Sequence, residues 1–220
     1  MFAEQTGGFR LYRIPGIVVT AKGSVLAYCE ARKFTVADRG EIENAGEPNV
    51  AELPDGRVLV TARNSDPRNR RVAAYSANGA TEWSPPEFLT DLLEPGCMAG
   101  LVSHPGTPEG RKPVLLFSNP HTTKRAHKDR VDVTIKLSED GGRAWPVSKV
   151  LQPGPSGYSD VAVLPDGTIL CFYESGDPHL PKKNGRRWAY SFLTVARFNL
   201  EWLMSGNDAA TPVRADDERS

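Results

Sequence analysis

The sequence predicts an all-β fold, a β-propeller with only about three to four blades. Three observations point to it. Turn-forming residues are spread between short apolar runs; one strand-turn-strand unit occurs three times with charges in register; and a Ser-x-Asp-x-Gly-x-x-Trp signature occurs once in full and once in degenerate form.

The composition favours strands first. The 20 Gly and 18 Pro separate short segments rich in Val, Leu, Tyr and Phe, a distribution of turns and strands rather than of long helices. Lys plus Arg equals Asp plus Glu at 27 each. No overall field therefore draws the chain to nucleic acid or to an acidic membrane surface, and any charge-based function is local. The three cysteines, Cys29, Cys97 and Cys171, are far apart and lack C-x-x-C spacing, so they read as buried strand thiols rather than a disulfide framework or a zinc site. No apolar stretch approaches the ~20 residues that span a bilayer. Met1-Phe2-Ala3-Glu4 lacks a basic segment followed by an apolar core, so no signal peptide is predicted.

The repeats come next. Val19 to Glu30, Glu52 to Arg63 and Val163 to Glu174 superimpose without a gap on Gly23, Gly56 and Gly167. Each is a strand, a tight turn with glycine at positive φ, and an apolar strand. Seven residues past the glycine all three carry a charge: Glu30, Arg63 and Glu174. Nine or ten residues before it stand Arg13, Glu47 and Tyr158. Charges ending apolar strands are costly if buried unpaired, so their shared position implies one polar centre. A propeller supplies it, since the innermost strands of all blades run along one axis and present matching residues to one mouth.

The signature follows. Ser138-Glu-Asp140-Gly-Gly142-Arg-Ala-Trp145 is an Asp-box, and Ser76-Ala-Asn78-Gly79-Ala-Thr-Glu-Trp83 is its degenerate copy. The acidic side chain is expected to cap its own turn while the tryptophan packs between strands, away from the site. Blade count follows from spacing. About 110 residues separate Gly56 from Gly167, room for two blades of ~40–50 residues, with strands expected near Cys97 to Val102 and Val114 to Ser118. Only about 33 separate Gly23 from Gly56, too few for a blade and its connection. Sequence is therefore expected to be missing around Glu43 to Gly46. The propeller domain is expected over residues 1–204, followed by a disordered tail from Ser205 to Ser220, which is polar and aperiodic. The basic clusters Lys124 to Lys128 and Lys182 to Arg187 read as solvated loops, having no interleaved aromatics for nucleic acid.

Arg13-Ile14-Pro15 after Tyr12, the Asp-boxes, and Tyr158 in Gly157-Tyr158-Ser159-Asp160 before a Leu-Pro-Asp-Gly turn together resemble the bacterial exo-α-sialidases, or neuraminidases. The resemblance runs from about Phe9 to Trp202 and implies a six-bladed ring, no metal or organic cofactor, and a sialylated glycan or glycolipid as partner. Sialic acid carries a carboxylate on its anomeric carbon, which repels a carboxylate nucleophile, and sialidases use tyrosine instead. By motif position the resemblance makes Tyr158 the nucleophile, Glu47 its proton acceptor and Asp38 the general acid. It makes Arg13, Arg63 and Arg130 the clamp on the substrate carboxylate, suited to it by planar, permanently charged guanidinium forks. Arg32 lines the sugar pocket, and Glu174 orients Arg13. Family members are often secreted or periplasmic.

The departure from the family falls after Ile42-Glu43. There a sialidase continues through its first Asp-box and two further blades, and with them go a second aspartate near the acid and much of the sugar pocket. The expected consequences are much reduced or absent turnover and association through open blade edges. The alternative function is a non-catalytic propeller that binds acidic glycans as a lectin does; a propeller without any ligand is the third.

Overall fold

The computed structural model describes residues 11–19, 25–32, 46–107, 110–123, 130–177 and 189–205, with side chains from residue 46 onward. Strands β1 (Leu11–Val19) and β2 (Val25–Arg32) form a hairpin that lies alongside β3. Next comes a four-stranded antiparallel sheet, β3 (Gly46–Glu52), β4 (Val58–Arg63), β5 (Arg70–Ser76) and β6 (Glu87–Leu93), paired in chain order. The strands β7 (Gly100–His104), β8 (Val114–Pro120), β9 (Val131–Ser138), β10 (Val147–Val163), β11 (Ile169–Ser175) and β12 (Phe192–Phe198) pair the same way in a six-stranded sheet, and the short helix α1 (Leu200–Met204) follows.

The six-stranded sheet is two blades joined by one bent strand. Residues Val147 to Pro155 of β10 pair with β9, whereas Ser156 to Val163 pair with β11. Between them lies Pro153-Gly154-Pro155, with Gly154 at φ +86 and two register shifts. The prolines have no N–H to give the ladder, and the glycine takes the left-handed bend, so the strand leaves one blade's edge and becomes the innermost strand of the next. The described residues thus form an all-β partial propeller: a hairpin, two four-stranded blades and one three-stranded blade.

The repeated turns share one set of hydrogen bonds. In the second unit Gly56 N–H donates to Leu53 O at 2.9 Å and Leu53 N–H to Arg57 O at 2.7 Å; in the third, Gly167 and Leu164 do the same at 2.9 and 2.8 Å. Both glycines lie at φ above +80. Gly23 of the first unit lies outside the described residues.

Among the described side chains two hydrophobic cores form, one between the second and third blades and one between the third and fourth. Leu59, Tyr75 and Leu89 of the second blade meet Leu101, Leu115 and Phe117 of the third. Leu116 and Ile135 meet Val161, Ile169 and Tyr173 of the fourth. Strand β8 sits between both cores and is buried throughout, which is why it reads Val-Leu-Leu-Phe without alternation. Strand β11 buries one face only and alternates: Ile169, Cys171 and Tyr173 point into the core, and Phe172 is 49% exposed. Phe172 pairs across the sheet with Val195, two residues from Leu193, and both of these are also exposed. Counted from the turn glycine, Phe172 stands where the fully buried Thr61 stands in β4. The last blade therefore presents, uncovered, the face that the second blade buries.

The full Asp-box folds as expected. The Asp140 carboxylate accepts the N–H groups of Arg143 and Ala144 at 3.0 Å each and the Ser138 hydroxyl at 2.8 Å. Trp145 is 3% exposed, donates its indole N–H to Gly142 O at 3.0 Å and packs on Phe117 with ring centres 5.7 Å apart. In the degenerate copy Asn78 caps in the same way, accepting from Ala80 and Thr81 at 2.9 and 2.8 Å. Its tryptophan departs from expectation: Trp83 does not pack between strands and is 41% exposed. Trp145 is covered because it sits in the core between its own blade and the preceding one; Trp83 has no such cover.

Cys97 and Cys171 are buried free thiols, and burial pushes both up to about 12. Cys97 is not in a strand, however, because β7 begins only at Gly100. The Glu94 carboxylate captures the N–H groups of Gly96 and Cys97 at 2.8 and 3.1 Å, so these amides serve a loop rather than a ladder. Residues 43–45 around the expected deletion, the two basic clusters and residues 206–220 of the expected tail lie outside the described residues. Among the described residues no helix is long and apolar enough to cross a membrane.

Candidate active site

Three inner strands carry the same irregularity at the same place. The ladder shifts register between Arg13 and Gly16 in β1, between Gly46 and Asn49 in β3, and between Ser156 and Ser159 in β10. Arg13, Glu47 and Tyr158 each stand at such a shift. A bulge at a strand's entry re-aims one side chain out of the sheet, and in β3 and β10 it turns Glu47 and Tyr158 toward each other. In β3 it places Glu47 at φ +43, a left-handed conformation that costs a non-glycine residue roughly 1–2 kcal/mol.

The bulges bring Glu47 and Tyr158 together from strands 111 residues apart. Tyr158 donates its hydroxyl to Glu47 Oε1 at 2.5 Å. Arg63, at the end of β4, donates Nη1 to Glu47 Oε2 at 2.9 Å and to the Tyr158 oxygen at 3.2 Å. The Arg130 guanidinium lies over the Tyr158 ring, 5.2 Å from its centre. Arg130 is 2% exposed and donates to the Gly96 carbonyl and, at 3.3 Å, to the Tyr190 hydroxyl. Glu174 accepts the Tyr158 backbone N–H at 2.8 Å. That approach requires glycine before the tyrosine, because a Cβ on Gly157 would collide with the Glu174 carboxylate and the Tyr190 ring.

The electrostatics keep the phenol neutral. Burial, then the hydrogen bond to Glu47 and its charge, push Tyr158 up to about 12, against the pull of Arg63 and Arg130. Burial works to lower Arg63, but the charge and hydrogen bond of Glu47 outweigh it and hold the guanidinium above its ordinary value. A phenol in this state is a poor nucleophile unless its proton leaves as it reacts, and the carboxylate at 2.5 Å is placed to take it.

Of the residues singled out in the sequence, Glu47, Arg63, Arg130, Tyr158 and Glu174 converge here. Arg13 and Arg32 lie in β1 and β2, whose backbone alone is described, and Asp38 lies outside the described residues. Three participants escaped the sequence reading: Tyr190, and the buried pair Arg71 and Glu94. One signal for Arg71 was present, an arginine opening the apolar strand Val72 to Tyr75 as Arg130 opens Val131 to Leu137. A cleft of about 540 Å³ lined by Leu53, Asp55, Val102 and His104 opens at the turn end of β3 and includes none of the Tyr158 set. Its walls are mainly apolar and backbone, so the convergence of titratable groups marks the site better than cavity size does.

The BNR repeat-like domain family matches residues 19–171. A sialidase of Micromonospora viridifaciens is 38% identical over 169 residues, which make up 74% of this chain and 23% of that protein. A sialidase of Bacteroides fragilis is 35% identical over 142 residues, 62% of this chain and 25% of its own length. Among solved structures, a Hadza microbial sialidase superposes with a TM-score of 0.56 at 30% identity, covering 72% of this chain and 28% of that one. The intramolecular trans-sialidase of Ruminococcus gnavus superposes at 0.59 with 23% identity, covering 81% and 36%, a likeness of fold. The chain spans about a quarter of the length of these two curated relatives.

Proposed function

Because this chain belongs to the BNR repeat-like family, we propose that it carries the reaction site of a retaining exo-α-sialidase, which releases terminal sialic acid from glycoconjugates. The observation that carries this reading is the Tyr158 hydroxyl held 2.5 Å from Glu47 Oε1, with Arg63 bonded to both. Glu47 takes the phenolic proton as the Tyr158 oxygen bonds to the anomeric carbon. Asp38 gives a proton to the departing glycosidic oxygen. In the second step water attacks the same carbon, Asp38 takes the water's proton, and Glu47 returns its proton to the leaving tyrosine. Arg13, Arg63 and Arg130 hold the substrate carboxylate, Arg32 borders the sugar, and Glu174 fixes Tyr158 through its backbone while orienting Arg13. A neutral nucleophile suits a substrate with a carboxylate at the reacting carbon, where an anionic one is repelled.

Turnover by this chain is far below that of a six-bladed relative. Catalytic positioning fails with displacements of about 1 Å, and a partial ring leaves the sugar pocket unfinished. The uncovered face of Phe172, Leu193 and Val195 favours association of the chain with a second copy. The same incompleteness favours one alternative, a non-catalytic propeller that binds acidic glycans. Hydrolysis of a fluorogenic sialoside separates the two. The enzyme reading expects slow release that Tyr158→Phe abolishes. If Tyr158→Phe changes no measurable activity while Arg130→Ala removes glycan binding, the lectin reading stands and the enzyme reading fails; robust turnover by the wild-type chain contradicts the proposed loss.

A further inference from the structure

Behind Glu47 lies an ion pair that touches neither the phenol nor any surface. Arg71 and Glu94 are both 0% exposed and meet at 2.7 Å. Arg71 Nη1 also donates to the Cys97 carbonyl at 3.2 Å, and Nη2 donates to Asn49 Oδ1 at 2.8 Å and to the Glu47 carbonyl at 3.3 Å. The second oxygen of Glu94 accepts the N–H groups of Gly96 and Cys97. The Gly96 carbonyl in turn accepts from Arg130, the guanidinium over the Tyr158 ring.

One pair thus holds two parts of the site. Its arginine grips Glu47 and Asn49, the two sides of the bulge that turns Glu47 to φ +43. Its carboxylate fixes the loop whose carbonyl fixes Arg130. A fully buried ion pair is often no more stabilising than an apolar pair of similar volume, so stability alone does not account for it. A left-handed glutamate persists only where its surroundings over-determine it, and the guanidinium at its carbonyl does this.

We propose that Arg71 and Glu94 are the positioning residues of the site, holding the Glu47 carboxylate against the Tyr158 hydroxyl and fixing the carbonyl that holds Arg130. The proposal rests on the reading of Tyr158 and Glu47 as the reactive pair, and the test separates the two. Its readout is the ionisation midpoint of Tyr158, taken in each background as the ultraviolet tyrosinate difference from the same protein carrying Tyr158→Phe.

The variant Arg71→Met with Glu94→Leu removes both charges together and leaves no buried ion unpaired. Arg71→Lys keeps the charge beside Glu94, but a single ammonium cannot reach Glu94, Asn49 and the Glu47 carbonyl at once. In either variant the Tyr158 midpoint is expected to fall from about 12 by roughly one unit, as Glu47 drifts from the phenol while burial persists. Should the double variant fail to fold, Arg71→Lys reads the same quantity. A folded variant in which Tyr158 titrates as in the wild type overturns the proposal. Glu47→Gln is the control: if it moves the midpoint and the Arg71 variants do not, only the positioning role falls; if it leaves the midpoint unchanged, the reactive-pair reading itself falls.

Discussion

Replacing Glu47 by glutamine keeps the shape of the site and removes one charge. In the wild type, Glu47 Oε1 accepts the Tyr158 hydroxyl at 2.5 Å and Oε2 accepts Arg63 at 2.9 Å. Burial is the largest cause of the raised Tyr158 value and survives the substitution, whereas the carboxylate's hydrogen bond and charge are lost, and Arg63 and Arg130 then pull unopposed. The midpoint should therefore fall from about 12 by on the order of one unit, rather than return fully to the ordinary value near 10. The sign of the linkage follows. A raised phenol favours the folded protein; that contribution is full below pH ~10 and is lost as pH rises to ~12, so the variant begins its loss at the same pH, completes it about one unit earlier and loses less. Hydrolysis should fall by roughly 10²- to 10⁴-fold, the usual worth of a general base. The assay is the tyrosinate difference spectrum between Glu47→Gln and the same variant carrying Tyr158→Phe, which isolates one of the six tyrosines. An unchanged midpoint, or unchanged hydrolysis, refutes the reasoning.

Four further substitutions bear on the frame around the pair. Trp145→Ala should cost about 3–5 kcal/mol, as for a large buried aromatic, and Trp83→Ala under about 1, because the same motif position is covered in one blade and bare in the other; chemical denaturation of both variants checks the contrast, and equal losses would contradict it. Gly157→Ala should destabilise by about 1–3 kcal/mol and break the Tyr158 N–H bond to Glu174, visible as a lowered melting temperature and a shifted Tyr158 amide resonance. Burial works to raise Asp140, yet the amides of Ala144 and Arg143 and the Ser138 hydroxyl hold it below its ordinary 3.8. Its stabilising contribution is therefore full above pH ~4 and lost as pH falls through the depressed value, so the melting-temperature gap between wild type and Asp140→Asn should close in acid.

The periodic features of the fold were legible in the sequence. Leu53 to Gly56 and Leu164 to Gly167 announce identical turns because glycine alone takes their positive φ freely, and Glu47, Arg63 and Tyr158 sit at fixed distances from those glycines. The bulges that aim them were not legible, since Glu47 enters the left-handed region without a glycine to mark it. Arg71 and Glu94 were hidden for a related reason. Their pairing joins the entry of β5 to the loop after β6, and local spacing says nothing of contacts made by a blade's curvature. Trp83 misled because a tryptophan's burial depends on the neighbouring blade, which a motif within one blade does not report.

The central claim is that Tyr158 bonds covalently to the sugar with Glu47 as its base. It is tested most directly by incubating the chain with a sialoside that bears a good leaving group and a fluorine beside the anomeric carbon, which slows release from the protein more than attachment to it. Peptide mass spectrometry should then find one sialyl group on the peptide containing Tyr158, accumulating slowly and absent from both Tyr158→Phe and Glu47→Gln. A sialyl group on another residue, or none on the wild-type chain after exhaustive incubation, would contradict it.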